Sequence, residues 1–324
     1  MNGPKTPDEF DSIEMLLRPL TRSHPAALDL LDDAAVLPGR PGHDLVVSKD
    51  AMVAGVHFPP DMPLDLVARR LLRAALSDLA AKAAEPFGWF LAVAWPPEAG
   101  WMEREAFARG LARDGELYGV ALLGGDTVST PGPLTLSATV MGWAPAGRMV
   151  RRAGGRAGDM LVVSGAVGDG WLGLQVATGA LAPDAALLAR YQLPEPRLGL
   201  RAAIQAHATA SADVSDGLLA DAGHIAKASG LAARIDLESL PLSPGGTAWL
   251  SCQSDRAAAL VRLATGGDDY EVIAAVAPED VEAYARAAGM DVTVVGVLRE
   301  GQGVEARLDG HVLTLDRLGY SHSS

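Results

Sequence analysis

The chain of 324 residues has one cysteine, Cys252. An internal disulfide is therefore excluded, and a reducing compartment is expected. Positive charge is also scarce: 27 Lys and Arg stand against 40 Asp and Glu, a formal net charge of −13. Nucleic-acid backbones demand clustered Lys and Arg, so no nucleic-acid partner is expected. An acidic protein can still bind an anionic nucleotide when divalent cations sit between them. No uninterrupted apolar run is long enough to span a membrane, and no basic segment followed by an apolar core opens the chain. A cytoplasmic protein without a membrane partner is the expectation. Familiar catalytic signatures are missing too. There is no Gly-x4-Gly-Lys-Ser/Thr phosphate loop, no His-Glu-x2-His zinc helix, no cysteine pair and no Gly-x-Ser-x-Gly elbow. The seven histidines are scattered.

Apolar residues and carboxylates are what the chain does have. Hydrophobic residues make up 49%, ample for well-packed cores, and the length favours two domains. In Ala121-Leu122-Leu123-Gly124-Gly125-Asp126-Thr127, three apolar residues read as the end of a buried strand. Two glycines then predict a tight turn, followed by a carboxylate and a hydroxyl. Such a layout suits a phosphate near main chain and a metal on the Asp, although Gly-Gly-Asp is also an ordinary turn. A similar stretch, Ala264-Thr265-Gly266-Gly267-Asp268-Asp269, recurs in the second half. Ser-Asp pairs lie upstream of both, Ser77-Asp78 and Ser215-Asp216, at 126 − 78 = 48 and 268 − 216 = 52 residues. Either a distant duplication or two domains giving matching acidic turns to one site accounts for this.

Thr6-Pro7-Asp8-Glu9 is a capping-box helix start, and Phe10, Ile13, Leu17 and Leu20 continue it along one face. Periodicity predicts helices over 66–84, 103–118, 218–229 and 278–288. Strands are predicted over 45–48, 87–95, 134–143, 160–164, 212–215, 271–277, 292–297 and 312–315. Their alternation implies an α/β architecture. From 144 to 159 the chain turns Gly-rich and basic, with Arg148, Arg151, Arg152 and Arg156, so a boundary is placed between residues 1–147 and 148–324. This stretch is either a solvated linker or a clamp on nucleotide phosphates. A Gly-rich turn over 165–170 does not match the dinucleotide fingerprint.

The chemistry-bearing residues that remain are carboxylates: Asp32, Asp50, Asp78, Asp126, Asp213 and Asp216. Hard oxygen ligands without His or Cys suit Mg²⁺, bound through a few carboxylates plus substrate phosphates. Phosphoryl transfer or nucleotide-dependent ligation is the chemistry this favours.

Six motifs occur in order: Leu31-Asp32-Asp33-Ala34-Ala35; Ser48-Lys49-Asp50 with Gly55-Val56-His57-Phe58; Leu76-Ser77-Asp78-Leu79-Ala80-Ala81; Gly124-Gly125-Asp126-Thr127; Asp213-Val214-Ser215-Asp216-Gly217-Leu218; and Gly266-Gly267-Asp268-Asp269-Tyr270-Glu271. Together they resemble the thiamine-monophosphate kinases, of the superfamily that includes aminoimidazole ribonucleotide synthetase. The resemblance implies a two-domain α/β fold. Its N-terminal domain would bind ATP and Mg²⁺ and form a barrel shared across a homodimer, beside a C-terminal α/β domain. It also implies transfer of the ATP γ-phosphate to thiamine monophosphate, giving thiamine diphosphate, with several Mg²⁺ ions. Position by position, Asp32, Ser48, Asp50, Asp78, Asp126, Asp213 and Asp216 resemble Mg²⁺ ligands. Gly125, Asp126, Arg152 and Ser215 resemble nucleotide-binding positions, with Asp126 and Arg152 cast as catalytic. His57, Asp268 and Tyr320 resemble substrate positions, Tyr320 packing on the thiamine rings. The nucleophile would be a phosphate oxygen, already anionic, so no general base is required.

Four departures from the family pattern stand out. Asp29-Leu30-Leu31-Asp32-Asp33 replaces the usual Gly-Ile-Gly-Asp-Asp, and Lys49 and Ala51 replace hydroxyl residues around Asp50. Thr127-Val128-Ser129-Thr130-Pro131 replaces a Thr-Arg-Gly turn, and Asp268 stands where Glu is commoner. Beside Asp50, either one metal position is lost or its charge is supplied by the Lys49 ammonium. The competing readings are an ATP-dependent ligase of the same superfamily and a nucleotide-binding homologue that has lost catalysis.

Overall fold

A computed structural model describes residues 9–320. Thr6, Pro7 and Asp8 of the expected helix start lie outside them. The chain forms two compact units, Met1–Leu79 with Pro86–Ala146, and Ala80–Glu85 with Gly147–Ser324. The units divide at 146/147, and the short piece 80–85 groups with the second unit.

The first unit starts with α1 (Glu9–Ser12), which continues as a π-helical turn over Ile13–Leu17 and a 3-10 turn over Arg18–Thr21. Its four-stranded sheet has the order β1 (His43–Val53), β4 (Thr135–Pro145), β2 (Glu85–Trp95), β3 (Ala121–Ser129). β1 pairs antiparallel with β4, and β2 pairs parallel with β3. Two long helices, α2 (Leu64–Ala81) and α3 (Trp101–Tyr118), complete the unit. Val67, Leu71, Leu72, Leu76 and Leu79 recur at helical spacing and are buried, so α2 forms a core stripe. The two helices approach so closely that a Cβ on Gly110 would sit 2.2 Å from the Asp65 carbonyl. Arg69 and Arg73 reach from α2 to the buried Asp114 of α3, at 2.9 and 2.6 Å.

β3 corrects the central expectation drawn from the sequence. The strand runs straight through Gly124-Gly125-Asp126-Thr127, where a turn was expected. Neither glycine has a positive φ. A Cβ on Gly125 would lie 1.9 Å from the Leu91 carbonyl oxygen, and one on Gly124 would lie 2.8 Å from the Phe90 ring. Pairing shifts register between Trp89 and Phe90, and the glycines let β3 close on β2 at that bulge.

The second unit carries a seven-stranded sheet in the order β11, β10, β7, β9, β5, β8, β6. Its elements in chain order are β5 (Met160–Ser164), α4 (Asp169–Ala177), α5 (Ala185–Gln192), α6 (Arg201–His207), β6 (Ala208–Val214) and α7 (Leu218–Ala228). They continue with β7 (Ala232–Asp236), α8 (Pro244–Ser251), α9 (Arg256–Ala264), β8 (Glu271–Val276), α10 (Val281–Ala288), β9 (Val292–Arg299), β10 (Gly303–Leu308) and β11 (His311–Val312). Helices and strands alternate as expected, but of the adjacent pairs only β7 and β10 run parallel. Alternating residues of β5 split between two cores: Leu161 and Val163 pack with α7, Val162 with α6 and α10. No described helix is long and apolar enough to cross a membrane.

Candidate active site

In the first unit, the alternation of β1 decides what its side chains can do. Val46 and Met52 are buried and share the helix-covered face with Ser48 and Asp50. Leu45, Val47, Lys49 and Ala51 occupy the other face, all exposed. The Ser48 hydroxyl donates to the Asp78 carboxylate of α2. Burial, and then the neighbouring Asp78 charge, push Asp50 up to about 7. Two carboxylates and a hydroxyl crowded without a compensating cation fit a hard divalent ion such as Mg²⁺. Lys49 does not supply that compensation: adjacent strand residues face opposite ways, so the alternative of an ammonium beside Asp50 is overturned.

Asp126 is exposed on β3 and shares a cavity of about 490 Å³ with Asp32 and Asp33. Ile13, Leu17 and Phe90 supply apolar lining. Leading into Asp32, Asp29 and Leu30 both sit at φ 57, in the left-handed region. These are positions of the Gly-Ile-Gly departure, so the strained backbone is kept without the glycine that suits it. His57 sits in the turn after β1, where the Val53 N–H donates to its Nδ1 at 3.0 Å. That contact fixes the tautomer and leaves Nε2 as the donor.

In the second unit, the structure gathers the expected residues around the end of β6. The Asp268 N–H donates to the Ser215 carbonyl at 2.8 Å, and the Tyr320 N–H donates to the Asp216 carbonyl at 2.8 Å. A Cβ on Gly267 would meet the Ser215 carbonyl at 2.7 Å, and one on Gly319 would meet that of Asp216 at 2.5 Å. Here the Gly-Gly-Asp-Asp stretch is a true loop, with Gly267 at φ 75 and Asp268 at φ 64. Asp213 is buried at the end of β6, and Tyr320 is half exposed. Arg152 interacts with Asp221 and His224 of α7. Burial and then the Asp216 charge raise Asp221 to about 7, against the pull of Arg152. Burial, and then Arg152, lower His224.

Sequence reasoning passed over Asp221 and His224, although their spacing of three on the helix after Asp216 was visible. It also missed the clamp below the loop. The buried Asp269 carboxylate accepts from the Gly168 and Gly170 N–H groups, both at 2.8 Å, and burial pushes it up to about 8. Next to it, buried Glu271 accepts from Arg190 at 2.7 Å, Arg197 at 2.6 Å and the Ser164 hydroxyl at 2.6 Å.

The family model for AIR synthase related protein, N-terminal domain, matches residues 31–144, and that for the C-terminal domain matches 156–309. The two-domain fold thus falls in that class. The thiamine-monophosphate kinase of Caulobacter vibrioides is 59% identical over 98% of this chain and 91% of the relative. A crystal structure of the thiamine-monophosphate kinase from Stenotrophomonas maltophilia K279a is 36% identical, with a TM-score of 0.81 over 93% of this chain and 97% of that one. AaThiL complexed with AMPPCP and TMP is 27% identical, with a TM-score of 0.78 over 97% of each chain. The chain belongs to the thiamine-monophosphate kinase family.

Proposed function

We propose that this protein is a cytoplasmic kinase that transfers the γ-phosphate of ATP to thiamine monophosphate, giving thiamine diphosphate. The observation that carries the reading is the whole-chain likeness to a relative solved with both AMPPCP and TMP. Asp32, Ser48, Asp50, Asp78 and Asp126 of the first unit, and Asp213 and Asp216 of the second, are the residues that would hold Mg²⁺. Ions held there supply neutralisation of the charge on the two phosphate groups. The rest falls to the chain itself. Gly125, Asp126, Arg152 and Ser215 bind and orient the nucleotide, with the Arg152 guanidinium suited to phosphate oxygens. His57, Asp268 and Tyr320 hold the acceptor, which attacks through an oxygen that is already anionic. Left-handed backbone at Asp268, pinned by its N–H to Ser215, fixes where that carboxylate projects. The working form is a homodimer. β1 is an edge strand whose outer face exposes Leu45 and Val47, and a shared barrel removes such an edge.

The test is transfer of label from γ-labelled ATP to thiamine monophosphate with and without Mg²⁺. Product is expected only with the metal; ATP binding without product at saturating Mg²⁺ would establish the degenerate homologue instead.

A further inference from the structure

The kinase reading uses Asp216 but leaves its two neighbours on α7 without a role. One ligand atom each from Asp216, Asp221 and His224 lies within 4.8 Å of the others. Ligands ~2.0–2.2 Å from one ion stand ~3–4.4 Å apart, so side-chain adjustments on the order of an ångström close the set. Asp221 and His224 are three residues apart on α7 and share a face. Asp221 is fully buried, and its two oxygens differ. Oδ2 accepts from the Asp216 N–H at 3.1 Å, whereas Oδ1 has no hydrogen-bond partner. A buried carboxylate oxygen left unpartnered within reach of a second carboxylate and an imidazole is costly unless something positive meets it.

We infer that Asp216, Asp221 and His224 form a divalent-cation site that takes Mn²⁺ in preference to Mg²⁺. The donor set carries the selectivity. Mg²⁺ takes oxygen and keeps its waters, whereas an imidazole beside two carboxylates suits ions further along the first transition row. Arg152 faces the same groups. An anion such as a phosphate can therefore bridge the ion and the guanidinium, while the side chains alone retain a net negative charge. Direct detection of the ion in the experiment below keeps this site separable from the kinase activity.

The test adds half an equivalent of Mn²⁺ to the metal-stripped full-length protein and records electron spin-echo modulation. Modulation from an imidazole nitrogen is expected, surviving an equal concentration of Mg²⁺ and disappearing in His224→Ala, with Mn²⁺ affinity reduced about tenfold or more. Asp221→Asn should abolish it as well; should that buried variant not fold, the exposed His224 substitution decides alone. Absent nitrogen modulation, modulation persisting in His224→Ala, or displacement by equimolar Mg²⁺ would each overturn the inference. Thiamine monophosphate phosphorylation is measured on the same samples. Turnover without nitrogen modulation removes this site and keeps the kinase reading; modulation without turnover does the reverse.

Discussion

Replacing Asp50 with Asn tests the carboxylate pair on stability alone, without reference to turnover. Asp50 shifts from 3.8 to about 7 on folding because it is buried and faces Asp78. Its folded pKa lies above the unfolded one, so the folded state takes up a proton between those values. Stability therefore falls as pH rises through that window, and the cost is fully expressed above about pH 7. At about 1.4 kcal/mol per unit, a shift of about three units corresponds to about 4 kcal/mol. Relaxation of a half-buried side chain reduces this to about 2–4 kcal/mol. Asp221 and Asp269 are raised as well and bend the parent's curve in the same direction, so the parent alone proves nothing. The difference between Asp50→Asn and parent isolates one group. In chelator at pH 8, the variant should be more stable by about 2–4 kcal/mol, shrinking to under about 0.5 kcal/mol near pH 4. Saturating Mg²⁺ should reverse the order, since the ion stabilises the parent by mass action and has lost a ligand in the variant. Urea unfolding read by tryptophan fluorescence suits the purpose, because Trp89, Trp95, Trp101 and Trp143 lie in the first unit and only Trp171 and Trp249 in the second. A stability difference that is the same at both pH values would refute the pairing.

Further outcomes follow from single contacts. Lys49→Thr should leave the Mg²⁺ dependence of activity within about twofold of the parent, because the side chain is on the far face of β1; a larger change in a Mg²⁺ titration would contradict that placement. Gly125→Ala should cost about 1–3 kcal/mol or more through its clash with the Leu91 carbonyl, whereas Gly39→Ala, with nothing within 4 Å, should melt like the parent. Glu271→Gln should destabilise the second unit by about 3–5 kcal/mol, since Arg190 and Arg197 would both lose the buried Glu271 charge; an unchanged urea midpoint would count against the network. Light scattering at micromolar concentration should give the mass of a dimer, and Leu45→Lys with Val47→Lys should shift it toward a monomer.

Much of this was legible in the sequence because local chemistry and tertiary role agreed. α2 has Leu and Ala at helical spacing and is a helix; Gly266-Gly267-Asp268-Asp269 reads as a turn and is one. Gly124-Gly125 failed because glycine has two uses, positive φ and close approach, and only the neighbouring strand's position tells them apart. β7 and β10 were missed because Arg234, Asp236, Glu305 and Arg307 break the apolar signal; their charges pair within and between strands of the sheet. Asp221 looked like any polar residue on a helix. Its burial comes from packing that no local pattern encodes.

β1 also determines which kind of mutation the first unit tolerates least. Its even-numbered positions carry Ser48 and Asp50 inward, and its odd ones carry Leu45, Val47 and Lys49 outward. Point substitutions on one side leave the other untouched, so the two faces can diversify separately over evolutionary time. A single-codon deletion between Asp44 and Val47 cannot respect that separation. It would turn Ser48 and Asp50 outward and bring Lys49 in against Asp78, while every acidic residue of the motif remained in the sequence. Insertions and deletions in this strand should therefore be rarer among functional homologues than substitutions at any one of its positions.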